Sequence, residues 1–287
     1  MLAAELHGKV AANEDILTSH VFSIFRYISD LSIPLAFLSC ARNLHNQALS
    51  LDSLAEAEVV FWPRFSLRGG SRWREADALL RLTDAQGRRV AVVVEAKCHS
   101  GLSNVPGGGV GGEEKSPEDD LARSTFGHQL ADEFCGIKCG DWQGLEHPLK
   151  PGEARFLIYV TQHYEMPRPE LEEAVTEITK RPCQGPDCRL HAENSIYWVS
   201  WRDLHGVLSQ GNRLKYCNHG QGRLLGDLRQ VLEARGLMRY SLSLSRLATP
   251  GAYERICQYG FWSRLVSVGT YEGPFHQDST PGAQAKC

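Results

Sequence analysis

Apolar positions recur at helical spacing through residues 14–28 (EDILTSHVFSIFRYI), where Ile16, Leu17, Val21, Phe25 and Ile28 share a face. That period predicts an amphipathic helix. Residues 34–49 continue as a second helical or irregular segment. The pattern then turns extended. Residues 57–67 (AEVVFWPRFSL) predict a strand that Pro63 ends or confines to an edge. Strands at 77–83 (DALLRLT) and 89–98 (RVAVVVEAKC) flank the turn signal DAQGRR, in which Gly87 is free to take positive φ. Residues 101–118 are a Gly- and Pro-rich loop. Helical spacing returns from Asp119 to Cys139, with Leu121, Phe126, Leu130 and Phe134 on one face. A buried strand follows at 155–162, a helix at 168–180 with Pro169 near its start, and a strand at 195–201.

This order predicts an α/β sandwich. After Arg202 the character changes to a strong amphipathic helix at 222–237, with Gly236 as its stop signal. The organisation expected is an α/β domain over residues 1–205, a small C-terminal helical extension over 206–270, and a disordered tail over 271–287.

The candidate chemistry lies at the end of the most apolar strand, where Val92-Val93-Val94 runs into Glu95-Ala96-Lys97. A hairpin centred on Gln86 sets Asp77 opposite Glu95, on the same side of the pair. Glu95 and Lys97 are two residues apart and share that side too. Two opposed carboxylates repel unless a positive charge sits between them. Mg²⁺ suits that position, because it takes oxygen ligands, keeps several waters and needs only one or two carboxylates. Such an ion activates water and holds a phosphate oxygen. The lysine positions the water and stabilises the extra charge of the transition state. This is equipment for phosphodiester hydrolysis, with Mg²⁺, or Mn²⁺ in its place, as cofactor.

Asp77, a strand, a turn and Glu95-Ala96-Lys97, preceded by the helix from Glu14, resemble the PD-(D/E)xK nuclease superfamily. The likeness covers roughly residues 10–205. It implies a restriction-endonuclease-like mixed β-sheet flanked by helices, with Asp77 and Glu95 as metal ligands and Lys97 assisting the nucleophile. It also implies a metal-reaching acid on the first helix, here Glu14 with Asp15 as substitute. A glutamine on the helix after the third strand, here Gln129, would orient nucleophile or phosphate. The segments NEDILTSHVF, EAD, EAKCHSGLSN and HQLADEF further resemble uncharacterised bacterial nucleases of defence or restriction systems. The implied substrate is nucleic acid, most simply DNA, with a homodimer or a defence-system protein as partner. Ala76 stands where the family has its proline, and Glu75 is a rival for Asp77. The other reading of the same fold is a catalytically silent module for nucleic-acid binding or assembly, with the helix at 222–237 as its docking element.

Composition adds constraints. With 31 Lys and Arg against 34 Asp and Glu, the net charge of −3 announces no global basic surface. Arg64, Arg68, Arg72, Arg74 and Arg81 cluster along the approach to Asp77, where they form either a local basic groove for a phosphate backbone or a solvated loop face. No run of about 18 apolar residues predicts a membrane span. Nine scattered cysteines, without a leader-like start, read as reduced thiols in a cytoplasmic protein. Cys183, Cys188 and His191, with Cys217 and His219 as a second pair, offer a zinc set, but the wide and irregular spacing favours free thiols in a loop. Cys135 and Cys139 are expected to pack on their helix. Thr18 and Ser19 early in the first helix suit local hydrogen bonding. His99 points away from Lys97. The aromatics Trp198, Trp201, Tyr253, Tyr259, Phe261 and Trp262 could stack on bases, though core packing suits most of them better.

Overall fold

The computed structural model describes residues 14–67, 73–98, 128–143, 145–150, 152–180, 192–210 and 218–239. The elements in chain order are α1 (Glu14–Tyr27), α2 (Ser32–Leu38), β1 (Glu56–Phe61), β2 (Arg64–Ser66), β3 (Trp73–Glu75), β4 (Ala78–Thr83), β5 (Arg89–Ala96), α3 (Gln129–Cys139), β6 (Asp141–Gln143), β7 (Ala154–Thr161), α4 (Arg168–Lys180), α5 (Ala192–Ser195), β8 (Ile196–Ser200), α6 (Trp201–Leu208) and α7 (His219–Ala234).

A five-stranded mixed sheet in the order β1-β4-β5-β7-β8 forms the middle layer. Its first three strands are antiparallel, and β7 and β8 run parallel to β5. The parallel steps need helical crossovers, and those crossovers put helices on both faces. On one face α1, α2, α6 and α7 pack over Val92, Val94 and Ala96. On the other, α3 and α4 pack over Ala91 and Val93. Period-2 alternation along β5 therefore sends the next residue, Glu95, to the α3 face.

The β4–β5 hairpin pairs Ala78 with Val94, and Gly87 turns it at φ +78°. The β1–β4 register continues across a break into β2–β3. Phe61 pairs with Ala78, the Trp62 N–H donates to the Asp77 carbonyl (3.2 Å), the Ala76 N–H donates to the Pro63 carbonyl (3.1 Å), and Arg64 pairs with Glu75. One long antiparallel ribbon thus runs from the five-stranded sheet into a second, three-stranded sheet ordered β3-β2-β6. The bend falls at Trp62-Pro63, where Trp62 takes φ +48° and Pro63 supplies no N–H donor. The second sheet reaches α3 through Phe65, whose ring fills the space where a Cβ at Gly136 would stand, and through the ion pair of Arg74 with buried Asp132.

Helix α6 starts on a capping box, with Ser200 Oγ accepting from the Arg202 N–H and Asp203 accepting from the Ser200 N–H. Helix α7 lays Leu225, Leu228, Val231 and Leu232 into the same core as α1, and Gly236 ends it at φ +68°. The compact unit runs to Arg239. The described residues of 206–210 and 218–239, set apart on sequence as an extension, therefore share their core with the rest of that unit. They pack because α7 carries one continuous apolar stripe. The tail and the rest of the expected extension lie outside the described residues. No helix among the described residues is long and apolar enough to cross a membrane.

Candidate active site

The site sits where the ribbon leaves the sheet. Beyond the last β4–β5 pair, Asp77 follows Ala78 and Glu95 follows Val94, so the two acids face each other across the mouth of the hairpin. Asp77 Oδ2 accepts from the Ala96 N–H at 2.7 Å. Beyond the bend, Glu75 is exposed and pairs with Arg64 at 3.0 Å, which removes it from the site.

Glu95 is only 1% exposed. Such a charge needs partners. Its Oε1 takes the Lys97 ammonium at 2.5 Å and the Gln129 side-chain amide at 2.6 Å. Lys97 also contacts Glu14 Oε1 at 3.2 Å, while Glu14 Oε2 accepts from the Cys98 N–H at 2.6 Å. Asp15 is exposed. Three separate chain segments thus supply the cluster: Glu14 from the start of α1, Asp77, Glu95 and Lys97 from the ribbon, and Gln129 from the start of α3.

A further carboxyl joins them. Glu133, one turn after Gln129, is buried, and its Oε1 accepts from the same Gln129 amide at 3.2 Å. No N–H or O–H donor among the described residues reaches its Oε2. Burial, then the neighbouring Glu95, push its carboxyl well above the usual range, which favours its neutral form. Glu133 was missed on sequence, although the four-residue offset from Gln129 puts both on one helix face. On the next strand Tyr159 stands in register with Glu95, and its hydroxyl donates to Glu170 at 2.8 Å. Burial pushes the Asp77 carboxyl up to about 7, helped by the charge of Glu95. Lys97 loses some basicity to burial but gains more from Glu95, Glu14 and Asp77, so its amine is raised and stays protonated.

The expected metal set was Glu14, Asp77 and Glu95. Among the described residues no group of three or more His, Cys, Asp or Glu side chains is arranged to hold a metal ion. The Lys97 ammonium lies between Glu14 and Glu95, and Glu14 is turned to it and to the Cys98 N–H. The hairpin pair keeps donors suited to a hard cation. Among the described residues no hydrogen-bond donor reaches Asp77 Oδ1, and no N–H donor reaches Glu95 Oε2. One oxygen from each strand, completed by water, fits the demands of Mg²⁺.

The expected basic groove changes character. Arg64 pairs with Glu75, Arg74 with Asp132 and Arg81 with Glu58 (3.3 Å), because each lies across a strand or helix from an acid. Arg68, Arg72, His99, Cys183, Cys188, His191 and Cys217 lie outside the described residues, as do Tyr253, Tyr259, Phe261 and Trp262. His219 opens α7, Cys135 is buried in the α3 core, and Trp198 and Trp201 are core residues. A cavity lined by Glu56, Glu58, Arg81, Arg89, His147 and Glu153 opens at the opposite end of the strands. Its charges pair with one another (Arg81–Glu58, Arg89–Glu153), so it holds no comparable cluster. No protein-family model, curated protein or solved structure matches this chain.

Proposed function

We propose that this chain is a metal-dependent nuclease of the PD-(D/E)xK, restriction-endonuclease-like kind, hydrolysing phosphodiester bonds in nucleic acid. The observation that carries the reading is the cross-strand placement of Asp77 and Glu95 at the hairpin mouth, with Lys97 in contact with Glu95. Mg²⁺ or Mn²⁺ held by Asp77 and Glu95 would supply Lewis acidity and a water of lowered pKa. Lys97 remains an ammonium, so its role is to orient water and donate to the charge that builds on the phosphoryl oxygens, not to abstract a proton. Glu14 fixes the lysine. Gln129 fixes the Glu95 carboxylate and is a positioning residue. Glu133, its carboxyl pushed up by burial and by Glu95, adds little to the negative charge buried there.

The second reading, a silent nucleic-acid-binding or assembly module, draws on one observation. Lys97 already bridges Glu14 and Glu95, as a cation would.

Calorimetric titration of Mg²⁺ and Mn²⁺ at several pH values, on the wild type and on Glu95→Ala, separates the two. Asp77 titrates near 7, and the ion displaces its proton. Affinity should rise about tenfold per pH unit up to about pH 7 and then level, with close to one proton released at pH 6. Glu95→Ala should abolish the binding. A wild type that takes up no ion, even beside an uncleavable oligonucleotide, would favour the module.

A further inference from the structure

The strained residue at the bend has no structural need to be a tryptophan. A bulky side chain at positive φ is a genuine outlier, and glycine or asparagine would turn the chain there at less cost. Trp62 sits at φ +48°. Burial does not explain it, because its side chain is 45% exposed. The ring leans on Phe61, with centroids 5.4 Å apart at 39°, and Phe61 is itself anchored against the core. The indole is therefore held in place while part of it stays open to solvent.

Its position is equally specific. Trp62 is the cross-strand neighbour of Asp77, whose carbonyl accepts the Trp62 N–H. The main-chain pairing with Asp77 sets the root of the Trp62 side chain one strand across from that residue, a span that a base flanking a phosphate held at Asp77 and Glu95 would cross. The carboxylates are recessed, with Glu95 almost fully enclosed, so a strand that can leave a helical stack reaches them more readily than a rigid duplex. The three described arginines nearest the ribbon are committed to acids. Attraction to the phosphate backbone is correspondingly reduced there, and affinity has to come from elsewhere. Base-on-indole stacking supplies it without sequence preference.

We propose that Trp62 is a stacking platform for an unpaired nucleobase next to the scissile phosphate, and that the substrate class is nucleic acid with unpaired bases at the cut. This rests on the nuclease reading of Asp77, Glu95 and Lys97. The test reads binding apart from cleavage. A fluorescein-labelled 12-nucleotide single strand and a blunt duplex of the same sequence are titrated in EDTA against the wild type, Trp62→Asn, Trp62→Phe and Trp73→Ala. Asparagine tolerates the bend and removes the ring, and phenylalanine keeps a ring. Trp73, exposed at the far end of β3, controls for loss of any surface indole.

The expected result is single-strand binding weakened at least tenfold in Trp62→Asn and within about threefold in Trp62→Phe. Trp73→Ala should be unaffected, duplex binding should be weak throughout, and the melting temperature of Trp62→Asn should be no lower than that of the wild type. Equal binding by wild type and Trp62→Asn overturns the proposal, and so does an equal fall in the asparagine and phenylalanine variants. A wild type that binds single strands through Trp62 yet cleaves nothing with Mg²⁺ or Mn²⁺ would keep the platform and remove the nuclease. A wild type that cleaves with KM unchanged in Trp62→Asn would do the reverse.

Discussion

Replacing Asp77 with asparagine will yield a protein that is more stable at pH 8 and, on the nuclease reading proposed above, cleaves on the order of a thousandfold more slowly. The two effects share one cause. In the unfolded chain this carboxyl titrates near 3.8, whereas in the folded protein burial and Glu95 hold it at about 7. Between those values the folded state keeps a proton that the unfolded chain has released, so stability falls as pH rises through that window. Above pH 7 the whole penalty is present, about 4 kcal/mol at about 1.4 kcal/mol per pH unit. Asparagine carries no charge, and its side-chain oxygen still accepts the Ala96 N–H. In EDTA the variant should gain up to that amount at pH 8 and nothing below pH 4. Urea unfolding at pH 4, 6 and 8 measures it. A variant less stable than the wild type at pH 8 would mean that Asp77 is not the strained group.

Replacing Lys97 with alanine has the opposite sign. The amine neutralises Glu95 and Glu14 in a place where water does little. Removing one partner of a buried ion pair leaves the other uncompensated, at a cost of roughly 3–5 kcal/mol. The loss should be greatest above about pH 7, where the neighbouring Asp77 is charged too. Added Mg²⁺ should offset part of it, by about 2.7 kcal/mol at a hundredfold excess over its dissociation constant. Cleavage should be lost as well. A chelator-treated Lys97→Ala protein as stable as the wild type would show that the lysine does not hold the carboxylates in place.

Much of this site could be read along the chain, because the hairpin obeys simple rules. Alternating apolar residues fix the faces of β4 and β5, and Gly87 fixes the turn, so the register that sets Asp77 against Glu95 follows from the sequence. Helix α4 likewise begins and ends where its apolar stripe and Pro169 place it. The bend was harder to see. Residues 57–67 read as a strand that Pro63 ends or confines to an edge, but the chain resumes after Pro63 in a different sheet. Strands of three residues, such as β3 and β6, are too short to show a period. The bend also parts Glu75 from Asp77, since it carries Glu75 away on the second sheet. Glu133 was hidden for another reason. A glutamate on a helix ordinarily faces water, and only the closing of α3 over β5 buries this one. The arginines of the ribbon misled by number. Sequence counts positive charges but does not show which of them already have acids across the strand.

The cluster gathers parts that are far apart along the chain. Gln129 reaches Glu95 across 34 residues, and Glu14 reaches Lys97 across 83. The hairpin that carries Asp77 and Glu95 is local and closes at little entropic expense, whereas the other two arrivals must wait for long loops to close. Desolvation of the charges is thus deferred until the ribbon exists. Contacts made after the folding barrier govern how slowly the native state is left, not how fast it is reached. The charged centre is therefore expected to act as a kinetic latch, the contacts of α1 and α3 with it slowing unfolding more than they speed folding.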